Sequence, residues 1–271
     1  MYKAFYGLAV KPFSKTPDPE FIYMSPQHKE ALARLTYGVE EREIVVLTGE
    51  VGCGKTTLSR CLMDTLGPQF DLITIVAPLF QQGELLRIFA KKLGVAEPAE
   101  FRTELMEQCG EALFENYQNG RVPVLIVDEA QLIPGKESMD ELRLISNLQL
   151  DDMNLFAMVL LGQPELRSRL MSGYFEPFRQ RIGMQYHLNP LEYDDVSRYI
   201  RHRLERAGRI EPLFTESAVE EIYRFSGGIP RKINNIASNA LIEGYGMGAE
   251  TIDSGIIIDV AKDFGLIGWN Q

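Results

Sequence analysis

Gly49-Glu50-Val51-Gly52-Cys53-Gly54-Lys55-Thr56 packs three glycines, a lysine and a hydroxyl into one short stretch, and Thr57 follows. The stretch fits GxxxxGK[ST] at every fixed position. Glycines at this spacing let main-chain N–H groups turn inward around a polyphosphate, and the lysine reaches its β- and γ-phosphates. Thr56 supplies a hydroxyl ligand to Mg²⁺. The alternative is a glycine-rich turn with no ligand, which does not require a lysine and a threonine in these places. Cys53 lies inside the loop. A small residue at a tolerant position is the simpler reading; a thiol made reactive by the start of the next helix is the other. The second reading makes Cys53 faster to label than Cys61.

A second constellation is Val124-Leu-Ile-Val-Asp128-Glu129-Ala-Gln131. Asp128 ends an apolar run and would hold Mg²⁺, directly or through its hydration shell. Glu129 follows in the place where a carboxylate polarises an attacking water. A kinase-type phosphotransferase has no use for that group, so the pair points to hydrolysis. The alternative is a solvated acidic turn.

Apolar runs recur with helical patterns between them. Residues 44–48, 72–77, 124–128, 155–161 and 184–188 read as strands. The first four are nearly continuous in apolar residues, as expected where both faces of a parallel sheet are covered. Residues 55–66, 84–93, 103–117 and 138–148 read as helices between them. This alternation predicts a three-layer α/β core with a parallel sheet over residues 41–190, behind an N-terminal leader, residues 1–40. After Pro190 the pattern is helical: 194–208, 215–228 and 230–245, then a shorter helix from Asp253. Residues 191–271 thus read as an all-α lid domain. Asp194 and Thr215 are expected to cap their helices, and Pro230 to open the third. In the leader, a proline-rich extended stretch precedes a helix capped by Ser25.

The bulk numbers narrow the class. Cys53, Cys61 and Cys109 form an odd set with no CxxC pair, which argues against a disulfide framework and fits a reducing cytosol. No apolar run approaches the roughly 20 residues needed to span a bilayer, and no signal peptide is read at the start. The formal charge of −10 makes the chain a poor general binder of nucleic acid, though it leaves room for a local basic surface.

With these motifs in place, the chain resembles the AAA+ ATPases over nearly its whole length, which implies a P-loop NTPase core and lid that bind ATP and Mg²⁺. In Leu160-Leu-Gly-Gln163-Pro-Glu-Leu166, Gln163 falls where that family senses the γ-phosphate, commonly with Asn. In Glu176-Pro-Phe-Arg179-Gln-Arg181-Ile-Gly183, an arginine reaches the neighbouring subunit's nucleotide; Arg181 is the first choice and Arg179 the second, and a pair of surface arginines is the alternative. In Ser226-Gly-Gly-Ile-Pro230-Arg231-Lys-Ile-Asn234, Arg231 contacts the γ-phosphate from the lid.

More narrowly, the chain resembles the ExeA/GspA family of secretion-associated ATPases. The segments carrying this are residues 12–39, Gly49–Thr57, "VDEAQ", "LLGQPEL", "FRQRI", "YIRHRLERAG" and "FSGGIPRKIN". The resemblance implies that Phe13, Pro19, Tyr23 and the helix carrying His28 wrap the adenine. It implies self-association into a ring or filament and a protein partner in a secretion or envelope/polysaccharide export machine. It also implies a cytoplasmic place, or a peripheral one at the inner membrane through that partner. Longer members continue into a membrane segment and a peptidoglycan-binding part. Other relatives resemble DNA-binding transposition regulators that recruit a transposase. For that reading the arginines at 198, 201, 203, 206 and 209 matter. A solvated lid face is preferred for them, and DNA is the alternative partner. A nucleotide switch without turnover is a third reading, weakened by Glu129.

Overall fold

The computed structural model describes residues 1–14, 21–77, 80–81, 84–150 and 153–266, so Pro19 lies outside the described residues. In chain order the elements begin with α1 (Tyr2–Phe5), α2 (Pro26–Glu40), β1 (Ile44–Gly49), α3 (Lys55–Thr65) and β2 (Phe70–Val76). Then come α4 (Leu85–Lys92), α5 (Arg102–Gln118), β3 (Val122–Asp128), α6 (Gly135–Ile145), β4 (Gln149–Leu150), β5 (Met153–Asn154) and β6 (Ala157–Gly162). The chain continues through α7 (Pro164–Leu170), α8 (Glu176–Arg179), β7 (Ile182–Leu188), α9 (Tyr193–Arg206), α10 (Glu216–Ser226), α11 (Pro230–Met247) and α12 (Ser254–Asp263).

These elements sort into two units. One comprises His28–Gly49 and Leu58–Leu188. It holds a five-stranded sheet in the order β2-β3-β6-β1-β7, with parallel pairing throughout. Parallel strands need crossover connections, which the intervening helices supply. β1, β3 and β6 are buried at every position. On one face Ile44, Val46, Leu125, Val127, Met158 and Leu160 join Leu85, Phe89, Leu113, Met139 and Leu166 in one core. On the other, a Cβ at Gly38 of α2 would stand 2.2 Å from Val45 Cγ2, so this glycine lets α2 lie directly on β1.

The expectation of two covered faces fails for β2. It is an edge strand, with Leu72 41% and Val76 65% exposed, and among the described residues β3 is its one neighbour in the sheet. The two-stranded β4–β5 pair and the short helices α7 and α8 were not anticipated, since each is too short to show a period. Helix α6 starts at Gly135, three residues before the expected Ser138.

The other unit comprises Met1–Gln27, Glu50–Thr57 and Asn189–Gln271. Its core joins Tyr6, Leu8, Phe13 and Phe21 of the leader to Val196, Ile200, Ile222, Ile233 and Ile257 of the helices. Thr215 caps α10 by accepting from the Ala218 N–H, and Asp253 caps α12 through the Ile256 N–H. Asp194 is not a cap: α9 starts at Tyr193, which places Asp194 in its first turn. Among the described residues no helix is long and apolar enough to cross a membrane.

Of the arginines at 198, 201, 203, 206 and 209, Arg198, Arg201 and Arg206 are exposed, as a solvated face requires, and the other two are not. Arg203 is 7% exposed; its Nε donates to the Pro12 carbonyl (2.6 Å) and its guanidinium lies 5.2 Å over the Phe21 ring. Arg209 donates to the Tyr6 carbonyl (2.7 Å). Two of the five therefore tie the leader to the helices. The carbonyls they hold lie 191 and 203 positions away in the chain, where no local pattern reveals them.

Candidate nucleotide-phosphate site

The carboxyl ends of β1, β3 and β6 lie along one edge of the sheet, where parallel α/β sheets bind ligands. β1 runs out at Gly49 into the loop, and α3 begins at Lys55. Gly52 and Gly54 take φ of 89° and 105°, which side-chain-bearing residues rarely adopt. The Cys53 N–H donates to the Glu50 carbonyl (3.2 Å), closing the turn. Lys55 is 5% exposed, and its Nζ donates to the same carbonyl (3.0 Å). Thr56 is exposed at the start of α3.

Within the same unit the start of α11 meets this loop. Pro230 is the first residue of α11, and the Arg231 N–H donates to the Gly52 carbonyl (3.3 Å). A Cβ at Gly52 would lie 2.7 Å from Arg231 Cβ, so only glycine lets the two segments approach this closely. The structure thus brings Arg231 to the phosphate loop. Phe13 is buried with its ring edge-on to Phe214, and the Tyr23 hydroxyl donates to Asp195 (2.8 Å).

Cys53 differs from the reactive-thiol reading. Its residue is 1% exposed, and burial pushes the thiol pKa up, against a smaller opposing pull from Lys55. Cys61 is also raised by burial but is half-exposed, and Cys109 is pushed up to about 12 in the core. The thiolate is the nucleophile, so burial outweighs the helix start here. Limited maleimide labelling followed by peptide mapping should find Cys61 modified first and Cys53 protected. Faster labelling at Cys53 would mean that the loop opens.

The other unit holds the acidic residues. Asp128 is the last residue of β3 and 4% exposed, and it accepts the Glu129 N–H on Oδ1 (2.9 Å). Glu129 has φ 56° and ψ 41°, a left-handed conformation that costs a non-glycine residue on the order of 1–3 kcal/mol. Its Oε2 accepts two amide donors: Gln131 Nε2 at 2.5 Å and Gln163 Nε2 at 3.0 Å. Gln163 is the residue before α7, whose first residue is Pro164. Its main-chain N–H donates to Gln131 Oε1 (3.0 Å). Arg169, at the far end of α7, donates to the carbonyls of Gln131 (2.7 Å), Ile133 (2.8 Å) and Gly135 (3.2 Å).

The structure therefore brings Glu129 and Gln163 into contact. Sequence reasoning passed over Gln131 and Arg169. The local sign of Gln131 is its place two residues after Glu129. Arg181 is exposed and donates to the Ser146 carbonyl (2.9 Å). Arg179 donates to the Met171 carbonyl (3.3 Å).

Comparison with known proteins bears on the family and the fold. The AAA domain family matches residues 39–170. General secretion pathway protein A of Aeromonas hydrophila is 41% identical over 260 residues, covering 95% of this chain and 47% of that protein. The chain thus spans about half the length of this curated relative. An uncharacterized HTH-type transcriptional regulator of Methanocaldococcus jannaschii is 26% identical over 62% of this chain and 42% of its own. Among solved structures, Cdc6p from Pyrobaculum aerophilum superposes with a TM-score of 0.69 at 17% identity, covering 94% of this chain and 72% of that one. The RuvB Holliday junction branch migration motor of Thermotoga maritima gives 0.59 at 20% identity, covering 90% and 73%. At such identities the two structures speak to the fold alone, a parallel five-stranded P-loop NTPase sheet with a helical C-terminal part. Fold and sequence agree, and the chain belongs to the AAA+ ATPases of the general secretion pathway protein A-like (ExeA/GspA) family.

Proposed function

We propose that the chain binds ATP with Mg²⁺, hydrolyses it within a ring or filament of its own copies, and uses the cycle to remodel or assemble a protein partner. The partner belongs to a secretion or envelope/polysaccharide export machine, and the chain acts in the cytoplasm or at the inner membrane through that partner. Lys55 carries charge to the β- and γ-phosphates, and Arg231 and Gln163 contact the γ-phosphate. Glu129 orients and deprotonates the attacking water. Thr56 and Asp128 would hold Mg²⁺, Asp128 directly or through its hydration shell, and both are hard oxygen donors of the kind Mg²⁺ takes. Bound there, Mg²⁺ neutralises phosphate charge. The rate gain is then positioning plus charge stabilisation.

One observation carries hydrolysis over mere binding: the Glu129 carboxylate is held by the side chain of Gln163, the residue assigned to the γ-phosphate. A carboxylate so held suits a water-directing base. The partner and its export setting rest on the family alone.

Binding is tested by Lys55→Ala. A lost charge-assisted contact is worth about 1.5–3 kcal/mol, so Kd for a fluorescent ATP analogue should rise roughly ten- to a hundred-fold. An unchanged Kd would remove Lys55 from the phosphates.

A further inference from the structure

We propose that Gln131 is a positioning residue for the attacking water: together with Gln163 it clamps the Glu129 carboxylate, and Arg169 anchors the loop that carries it. The proposal rests on the hydrolase reading above and deepens it.

The bonding pattern dictates which way the Gln131 amide points. Its Oε1 faces the main-chain N–H of Gln163, a donor only, at 3.0 Å. Its other end faces a carboxylate oxygen at 2.5 Å, which requires the NH₂ group there. Flipping the amide would set donor against donor and acceptor against acceptor. Gln131 is therefore locked at both ends, between the residue before α7 and the residue after β3. The fit leaves no slack: a Cβ on Gly162 would come within 3.1 Å of Gln131 Oε1.

Glu129 is gripped on one oxygen by two amides from two different segments. Two donors on one carboxylate oxygen set the direction of the whole group. Glu129, Gln131 and Gln163 are each only half-buried, so water could satisfy them without this arrangement. What the bonds add is direction. Arg169 supplies the support. One guanidinium takes three main-chain carbonyls in the span 131–135, so α7 carries both the Gln163 end of the clamp and the anchor of the Gln131 loop. A left-handed residue such as Glu129 needs its surroundings to hold it, and these bonds do so.

The test compares ATP turnover of the wild-type chain with Gln131→Leu, Gln131→Glu, Arg169→Met and the Gln131→Leu/Arg169→Met double variant, measuring nucleotide Kd for each. Gln131→Leu should lower kcat about 10- to 100-fold, with KM and Kd within about two-fold of wild type, because orientation is lost and binding is not. Gln131→Glu keeps the volume but sets a second carboxylate against Glu129, so it should turn over more slowly than Gln131→Leu. Arg169→Met should lower kcat, and the double variant should be little worse than the worse single one, since both changes release the same loop. Gln131→Glu near wild type with Gln131→Leu impaired would mean that Gln131 only fills space, and would overturn the clamp. So would a rise in kcat in Gln131→Leu, which would make the contact a brake. If the wild-type chain shows no turnover, the hydrolase reading fails and takes the clamp with it. Wild-type turnover with unaltered variants sinks the clamp alone.

Discussion

Mixing Arg181→Ala protomers with Lys55→Ala protomers should restore ATP turnover that neither variant shows alone. Arg181 stands one residue before β7, whose first residue Ile182 pairs with Ile44 at the start of β1. The phosphate loop leaves β1 at its other end, after Gly49. At about 3.3 Å per residue, the five steps between put the two ends of β1 about 17 Å apart. Arg181 therefore sits at the other end of β1 from the loop that leaves it, and it is exposed. An arginine supplied in trans is worth about 10³–10⁵-fold in phosphate chemistry of this kind. Arg181→Ala should keep its nucleotide affinity and lose turnover on that scale. Lys55→Ala keeps an intact arginine, so mixed interfaces pair a good pocket with a good arginine. Specific activity should also rise with protein concentration. Turnover independent of concentration, with no rescue in the mixture, would leave a monomeric enzyme. A large defect in Arg179→Ala but not in Arg181→Ala would move the role to Arg179.

What was legible in the sequence is what short-range chemistry demands. The phosphate loop must place glycines, lysine and threonine within one turn, so Gly49 to Thr56 declare themselves. The strands β1, β3 and β6 are buried at every position, and their unbroken apolar runs say so. β2 has nearly the same composition yet lies at an edge, because neighbours in a sheet are set by topology rather than by the strand's own residues. Cys53 left two readings open for a related reason: its loop allows a helix-start thiol, and only the packing that seals it off decides against one. Arg203 reads as one charge in a solvated run, and only the fold supplies the Pro12 carbonyl and the Phe21 ring that bury it. Gln131 and Arg169 were missed because, Glu129 apart, the groups they bond lie 32 to 38 positions away.

The central claim is that the chain hydrolyses ATP with Glu129 as the group that activates water. Glu129→Gln exchanges the carboxylate for an amide of the same size. Gln131 Nε2 and Gln163 Nε2 can still donate to the amide oxygen, so the variant keeps much of its local geometry while losing the base. Removing a general base costs about 10²–10⁴-fold. The measurement is phosphate release at saturating Mg-ATP by wild type and Glu129→Gln side by side, with bound nucleotide quantified in the same samples. The expected result is equal nucleotide occupancy, sustained release by the wild type, and release by Glu129→Gln lower by about 10²–10⁴-fold. Equal rates from the two proteins, or no release from the wild type at full occupancy, would contradict it.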